Sequence, residues 1–93
     1  MNKYPSEQEL KQITEWSPED PKGLIEFLKD NWHWPSYITA EEKDDTIFLE
    51  LHTGGWSGNE DIVVALEKNM FWSLWWMRSE RGGHYWFEVR KLK

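Results

Sequence analysis

Residues 46–60, Thr-Ile-Phe-Leu-Glu-Leu-His-Thr-Gly-Gly-Trp-Ser-Gly-Asn-Glu, contain the pattern on which the predicted fold depends. Ile47, Leu49 and Leu51 occupy every second position, which predicts a strand with one main buried face. Two glycines follow, and residues 57–60 then have the sequence of a capping box, the signal for the start of a helix. The stretch therefore predicts a strand, a glycine-rich loop and a helix in immediate succession.

Further helices and strands are predicted on both sides of this stretch. Ser6 and Glu9 form another capping box, and Asp20 followed by Pro21 is typical of a second helix start. Asn69 is suited to the left-handed end of the third helix. The predicted elements are helices over about 7–16, 21–32 and 57–69, and strands over 37–41, 46–52, 71–78 and 84–90.

The predicted order, α-α-β-β-α-β-β, indicates an α+β fold with a four-stranded mixed sheet and helices packed on it. A helix between two strands usually returns the chain in the same direction, so strands two and three are expected to be parallel neighbours. Residues 71–78 are bulky at both alternating sets of positions, as in a central strand covered on both faces. We expect strand order 1-2-3-4 in a single domain over 1–93, with a helical part over 1–35 and a ββαββ sheet unit over 36–93.

The register of the last hairpin is left open by the sequence. Gly82-Gly83 predicts the turn before the last strand. A two-residue turn places the even-numbered residues of 71–78 on the face that carries Phe87 and Val89. A three-residue turn places the odd-numbered residues there instead.

Cysteine is absent, and tryptophan is abundant, with eight in 93 residues. The absence of cysteine excludes disulfides, zinc ribbons and thiol catalysis. The N-terminus lacks the apolar segment of a signal peptide, and the longest apolar stretch, 70–77, is too short to cross a membrane. We expect a soluble cytoplasmic protein without membrane contact. Because eight tryptophans exceed what so small a core easily encloses, the loop residues Trp34 and Trp56 are expected to be exposed.

The net charge of −6 is unevenly distributed along the chain. Residues 1–67 carry 15 acidic and 5 basic side chains, whereas residues 68–93 carry 2 and 6. An acidic surface repels phosphates, which argues against nucleic-acid binding. Three interpretations stay open. They are a solvated surface, an acidic face for a basic protein partner or for mimicry of nucleic acid, and a basic C-terminal face that stacks nucleotides through Arg78, Arg81, Arg90 and Trp86.

The two double-glycine segments, 53–59 and 79–84, follow the ends of predicted strands two and three. Because parallel strands end at the same edge of a sheet, these segments are predicted to meet where open sheets with helical crossovers bind ligands. Glycines there permit close backbone approach. The expected ligand- or partner-binding residues are Trp56, Ser57, Asn59, Arg81, His84 and Tyr85, with His52 as a further candidate.

No complete catalytic or metal-binding motif accompanies this edge. The loop lacks the lysine of a P-loop, and Glu60 and Asp61 already complement the helix dipole. Residues 55–58 are similar to a nucleophile elbow, but Asn59 stands where the motif requires glycine. The histidines at positions 33, 52 and 84 share no metal-ligand spacing. We therefore predict no catalytic residue, no metal ion and no cofactor.

Residues 53–60, TGGWSGNE, together with residues 81–87, RGGHYWF, and the aromatic residues Phe71, Trp72 and Trp75, resemble a family of small uncharacterised bacteriophage and prophage proteins. The similarity covers about residues 46–89. It implies a phage origin and a bacterial cytoplasmic setting. The family has no established activity, so the resemblance implies no catalytic residues.

Small size, acidic balance, surplus tryptophan and the missing catalytic set favour a non-enzymatic accessory protein that binds another macromolecule. A protein of the bacterial host is the expected partner, and a homodimer through the last hairpin stays open. The alternative is a small-ligand or nucleotide-binding module that uses the Gly54–Asn59 loop and the Arg81–His84 turn, with weak enzymatic activity through His84.

Overall fold

The computed structural model describes residues 4–90, and it combines a helical N-terminal part with a four-stranded sheet. A 3-10 turn over Pro35–Tyr37 joins the two parts. In chain order the elements are α1 (Glu7–Glu15), α2 (Pro21–Asn31), β1 (Ile38–Lys43), β2 (Thr46–His52), α3 (Ser57–Glu67), α4 (Met70–Trp75), β3 (Trp76–Glu80) and β4 (His84–Arg90).

The first two helices begin where the sequence predicts. The Ser6 hydroxyl accepts a hydrogen bond from the backbone N–H of Glu9 at 3.1 Å, and the Glu9 carboxylate accepts one from the N–H of Ser6 at 2.8 Å. This completes the predicted capping box. At α2, the Asp20 side chain accepts from the N–H of Gly23, and Pro21 occupies the first helical position. Both helix starts are confirmed.

The four strands form an antiparallel sheet in the order β1-β2-β4-β3, which corrects the predicted mixed sheet in the order 1-2-3-4. β2 and β3 run in the same direction, as expected, but they lie on either side of β4 and are not neighbours. β4 takes the place beside β2 because its Phe87 and Val89 lie opposite Leu49 and Ile47 and complete the buried face. The broad α+β class is confirmed.

Residues 71–75, predicted as part of a central strand, belong to helix α4 instead, so that prediction is wrong. Phe71 and Trp75 lie one helical turn apart and both are buried. The Phe71 ring packs against Phe87, with 5.6 Å between ring centroids. Only residues 76–80 are extended, and they form an edge strand that is exposed throughout rather than a covered central strand.

The start of α3 also differs from the prediction. Ser57 is the first helical residue and does not cap the helix, because Trp56 occupies the N-cap position and no side chain caps there. The Ser57 hydroxyl instead donates a hydrogen bond to the Tyr4 hydroxyl at 3.2 Å. A serine one position past the cap cannot reach the free helix amides in the capping-box manner.

Asn69 does not form the predicted left-handed end of α3; it is the N-cap of α4. Its backbone is extended, with φ −97°, and its side chain caps α4 by accepting from the N–H of Phe71 at 2.7 Å. The side-chain amide also donates to the carbonyls of Ile13 and Trp16, at 2.9 Å each. One buried side chain therefore joins the end of α1 to the start of α4.

A three-residue turn joins β3 to β4, which decides the register that the sequence left open. Glu80 lies directly opposite His84. A β-bulge at Met77 then shifts the pairing, so Trp76 lies opposite Phe87.

The helices cover one face of the sheet and leave the other open. On β2 and β4 the buried residues alternate with half-buried or exposed ones, as one-sided burial requires. Helices and sheet share a single apolar cluster. Its most completely buried members include Ile13, Leu24, Leu28, Leu49, Leu51, Ile62, Leu66, Phe71, Phe87 and Val89.

Candidate functional site

The two double-glycine segments meet at one edge of the sheet, as predicted, although the strand arrangement that brings them together is different. His52, the last residue of β2, lies directly opposite His84, the first residue of β4. The N–H of Thr53 donates to the carbonyl of Gly83 at 2.9 Å. The segments converge because β4 begins at the edge where β2 and β3 both end.

The loop before α3 is packed against its own neighbours. The Trp56 ring stacks between Tyr4 and His33, at centroid distances of 4.7 and 4.4 Å. It also lies over Gly58, so closely that a Cβ at this position would overlap the ring. Trp56 is therefore half-buried rather than exposed, whereas Trp34 is exposed as expected. Because the indole covers the first turn of α3, an anion cannot reach the helix amides from this side.

Asn59 is fully buried and joins three segments of backbone. Its Oδ1 accepts from the N–H of His33 at 2.9 Å, and its Nδ2 donates to the carbonyls of His33 and Thr53 at 3.1 and 3.3 Å. All of these contacts are within the protein. Asn59 therefore supports the loop, and no part of its side chain faces solvent.

The remaining predicted site residues lie on different surfaces. Arg81 is exposed in the turn, and His84 lies on the open face of the sheet. Tyr85, the next residue, points to the helix-covered face, where its ring contacts Trp72 at 5.6 Å. Burial raises the pKa of the Tyr85 hydroxyl above 10.0, and the negative charges of Glu67 and Glu60 raise it further. The six predicted residues therefore do not line one pocket.

A different cluster occupies the open face, and sequence reasoning missed its arrangement. The Nδ1 atoms of His52 and His84 are 2.7 Å apart, and His52 Nε2 lies 3.1 Å from the Glu50 carboxylate. Trp86 lies beside both imidazoles, at ring-centroid distances of 5.9 Å from His52 and 6.3 Å from His84. Strand alternation places Glu50 and His52 on one face. That His84 lies opposite His52 follows only from the register of the β2–β4 pair.

The hydrogen bonds of this cluster define how its protons are arranged. When His52 Nε2–H donates to Glu50, its Nδ1 carries a lone pair and accepts from the Nδ1–H of His84. His84 Nε2 is then also unprotonated. We call Glu50, His52 and His84 the histidine cluster. Both imidazoles are half-buried, and in this arrangement the His52 Nδ1 lone pair is occupied by the hydrogen bond from His84.

Arg78 and Trp86 extend the open face beyond the histidine cluster. The Arg78 guanidinium lies 4.1 Å from the centroid of the Trp86 ring, and it pairs with Glu80 at 3.4 Å. Glu88 and Arg90 add a further pair at 3.9 Å. This face carries both signs of charge, in contrast to the cationic surface that binds phosphates.

Beside this face, β3 forms an edge with exposed apolar side chains around it. All five residues of the strand are exposed. Met70 and Leu74 lie one turn apart on the outer side of α4, and Trp76 and Met77 follow directly at the start of β3. We call these four side chains, with β3, the β3 edge.

The described part of the chain, residues 4–90, contains no group of three or more histidine, cysteine, aspartate or glutamate side chains placed to hold a metal ion. Within the same residues no helix has the length and apolar character needed to span a membrane. Comparison with protein-family models, with curated proteins and with solved structures finds no match to this chain. The predicted likeness to phage proteins therefore stays a prediction.

Proposed function

We propose that the protein is a non-enzymatic binding module that adds an extended segment of a partner protein to its sheet at β3. The observation that carries this proposal is an edge strand with every residue exposed and apolar side chains next to it. Unpaired backbone groups on such a strand form a template for a further strand, and neighbouring side chains provide specificity.

The two edges of the sheet differ in a way that favours β3. The edge strand β1 carries Glu41, Glu42 and Lys43, and Glu42 pairs with Lys22 of α2 at 3.6 Å. Charged side chains on an edge strand discourage pairing with another chain. β3 also carries two charged residues, Arg78 and Glu80, but these pair with each other at 3.4 Å. In addition, the β3 edge exposes Trp76 and Met77, whose side chains are of the kinds enriched in protein interfaces.

A cluster of exposed apolar side chains also supports a protein partner over a small ligand. Met70, Leu74, Trp76 and Met77 are 61, 46, 44 and 47% exposed, and they lie within eight consecutive residues. Patches of this kind mark interaction sites on soluble proteins. Because the resemblance implies a phage origin, the partner that we propose is a protein of the bacterial host.

The ligand-binding alternative receives less support from the packing of the loop. A ligand at the Gly54–Asn59 loop would have to displace Trp56 from its stacked position and break the internal hydrogen bonds of Asn59. Nucleic-acid binding by the open face is disfavoured because acidic residues are interspersed among its bases.

Site-specific photo-crosslinking in a bacterial lysate tests the proposal. A photoreactive residue in place of Met77 lies on the proposed edge, and one in place of Glu41 on the opposite edge is the matched control. We expect one host protein to be cross-linked from position 77 and not from position 41. Leu74→Lys, added to the position-77 protein, should reduce that adduct by placing a charge in the apolar contact.

Two other results would contradict the proposal as stated. Equal labelling from positions 77 and 41 would mean that β3 has no special role. An adduct between two copies of this chain would identify the partner as a second copy rather than a host protein.

A further inference from the structure

We propose that His52 and His84 together bind a divalent transition-metal ion through their Nδ1 atoms. The two nitrogens already lie 2.7 Å apart on the open face of the sheet. They belong to directly opposed residues of neighbouring antiparallel strands, where Cβ atoms are about 4.5–5.5 Å apart. The strand ladder therefore holds both imidazoles in place for chelation, and this proposal is independent of the β3 edge.

The separation of the two nitrogens is close to what a metal ion requires. Metal–nitrogen bonds of about 2.0–2.1 Å at a tetrahedral angle separate the nitrogens by about 3.3 Å. The rings of His52 and His84 must therefore move apart by about half an ångström and turn so that both lone pairs point to the same ion. Both side chains are half-buried at the surface, so small rotations of the rings meet little resistance from the core.

Glu50 supplies the carboxylate that commonly supports a metal-bound histidine. Metal-bound histidines usually donate their other ring N–H to a carboxylate, a backbone carbonyl or water, which orients the ring and makes it a stronger ligand. His52 Nε2 lies 3.1 Å from the Glu50 carboxylate, and this contact leaves Nδ1 unprotonated, so that it can coordinate a metal ion once the hydrogen bond from His84 is broken. On binding, His84 would exchange its Nδ1 proton for one on Nε2, so the pair stays neutral and no net proton is released.

The ligand set indicates the class of metal ion. Imidazole nitrogens suit zinc, nickel and copper, whereas calcium and magnesium prefer oxygen ligands. With two ligands from the described residues, the remaining positions are open to water or to a group from another molecule. Among the divalent ions we expect copper to bind most tightly, following the usual order of affinities.

Calorimetric titration of the full chain with zinc chloride and with copper sulfate tests the proposal. His52→Phe and His84→Phe each retain an aromatic ring and remove the coordinating nitrogen. His33→Phe is the matched control, because His33 stacks on Trp56 and is not part of the cluster. We expect one ion per chain, with affinity reduced about tenfold or more in the first two variants and unchanged in the third.

A measurement on the unaltered protein does not depend on how the variants fold. Substoichiometric copper should broaden the imidazole NMR signals of His52 and His84, and the indole N–H signal of Trp86 beside them, before those of His33. Glu50→Gln should weaken binding by about tenfold, because it removes the negative charge that makes His52 a stronger ligand. No binding by the unaltered protein, or equal affinity in all three His→Phe variants, would overturn the proposal.

Discussion

Asn59 pairs with the backbone of His33 through both ends of its amide, with Oδ1 accepting from the N–H at 2.9 Å and Nδ2 donating to the carbonyl at 3.1 Å. The side chain therefore makes the two bonds that an adjacent strand would make. This contact holds the segment after α2 against the start of α3, and it explains why a polar side chain is buried completely.

Asn59→Asp should lower the free energy of unfolding by about 3 kcal/mol, because the carbonyls of His33 and Thr53 lose their donor and face a carboxylate. Urea denaturation measures the change. Asn31→Asp is the control, since the Asn31 amide donates to a single helix carbonyl, that of Phe27, near the surface. Equal losses in the two variants would show that burial of Asn59 does not matter.

The β1–β2 hairpin should be stabilised by glycine at position 45. Asp44 and Asp45 both have positive φ, 53° and 64°, in the two-residue turn between Lys43 and Thr46. Side chains rarely adopt this conformation, and glycine adopts it without strain. We expect Asp45→Gly to increase stability by about 0.5 kcal/mol and Asp45→Ala to decrease it. Thermal unfolding distinguishes the two variants. A similar change in Tm for both would mean that the effect comes from the lost charge rather than from the backbone conformation.

Two buried tryptophans should respond differently to replacement by phenylalanine. Trp32 Nε1–H donates to the carbonyl of His52 at 3.1 Å, whereas Trp75 Nε1 is buried and has no partner among residues 4–90. Both replacements lose similar apolar area. Trp32→Phe also leaves the His52 carbonyl without its donor, whereas Trp75→Phe removes an N–H donor that has no acceptor among the described residues. We therefore expect Trp32→Phe to lower the free energy of unfolding by about 1–3 kcal/mol more than Trp75→Phe does. Equal costs in urea denaturation would contradict this.

Tyr85 should make the folded state sensitive to alkaline pH. Its pKa is raised from 10.0 by burial and then by Glu67 and Glu60. Between 10.0 and this raised pKa the folded chain binds more protons than the unfolded chain, so stability falls as the pH rises. Below pH 10.0 this contribution is constant. In urea denaturation between pH 8 and pH 11, the free energy of unfolding should decline less steeply for Tyr85→Phe than for the unaltered protein. Tyr37 is exposed, so Tyr37→Phe should follow the unaltered protein.

Local signals predicted much of the fold correctly. The capping residues Ser6 and Asp20 begin helices, and the alternation of Ile47, Leu49 and Leu51 matches the buried face of β2. These features depend on residues close together in the chain, where side-chain spacing and backbone geometry are directly linked. The local pattern of residues 71–75 does not distinguish a helix from a strand, because Phe71 and Trp75 fit a buried helix face as well as a buried strand.

The sequence alone determined the α+β class and the first two helix starts. The meeting of the two glycine segments is expected from neighbouring parallel strands, but it results from the pairing of β2 with β4. The tertiary structure alone decided that β4 lies beside β2, that α4 is helical and that His52 faces His84. The physical reason is that strand pairing uses backbone groups that nearly every residue carries, so the local sequence pattern does not show which strands are neighbours. That choice depends on which arrangement buries Phe71, Phe87 and Val89 together.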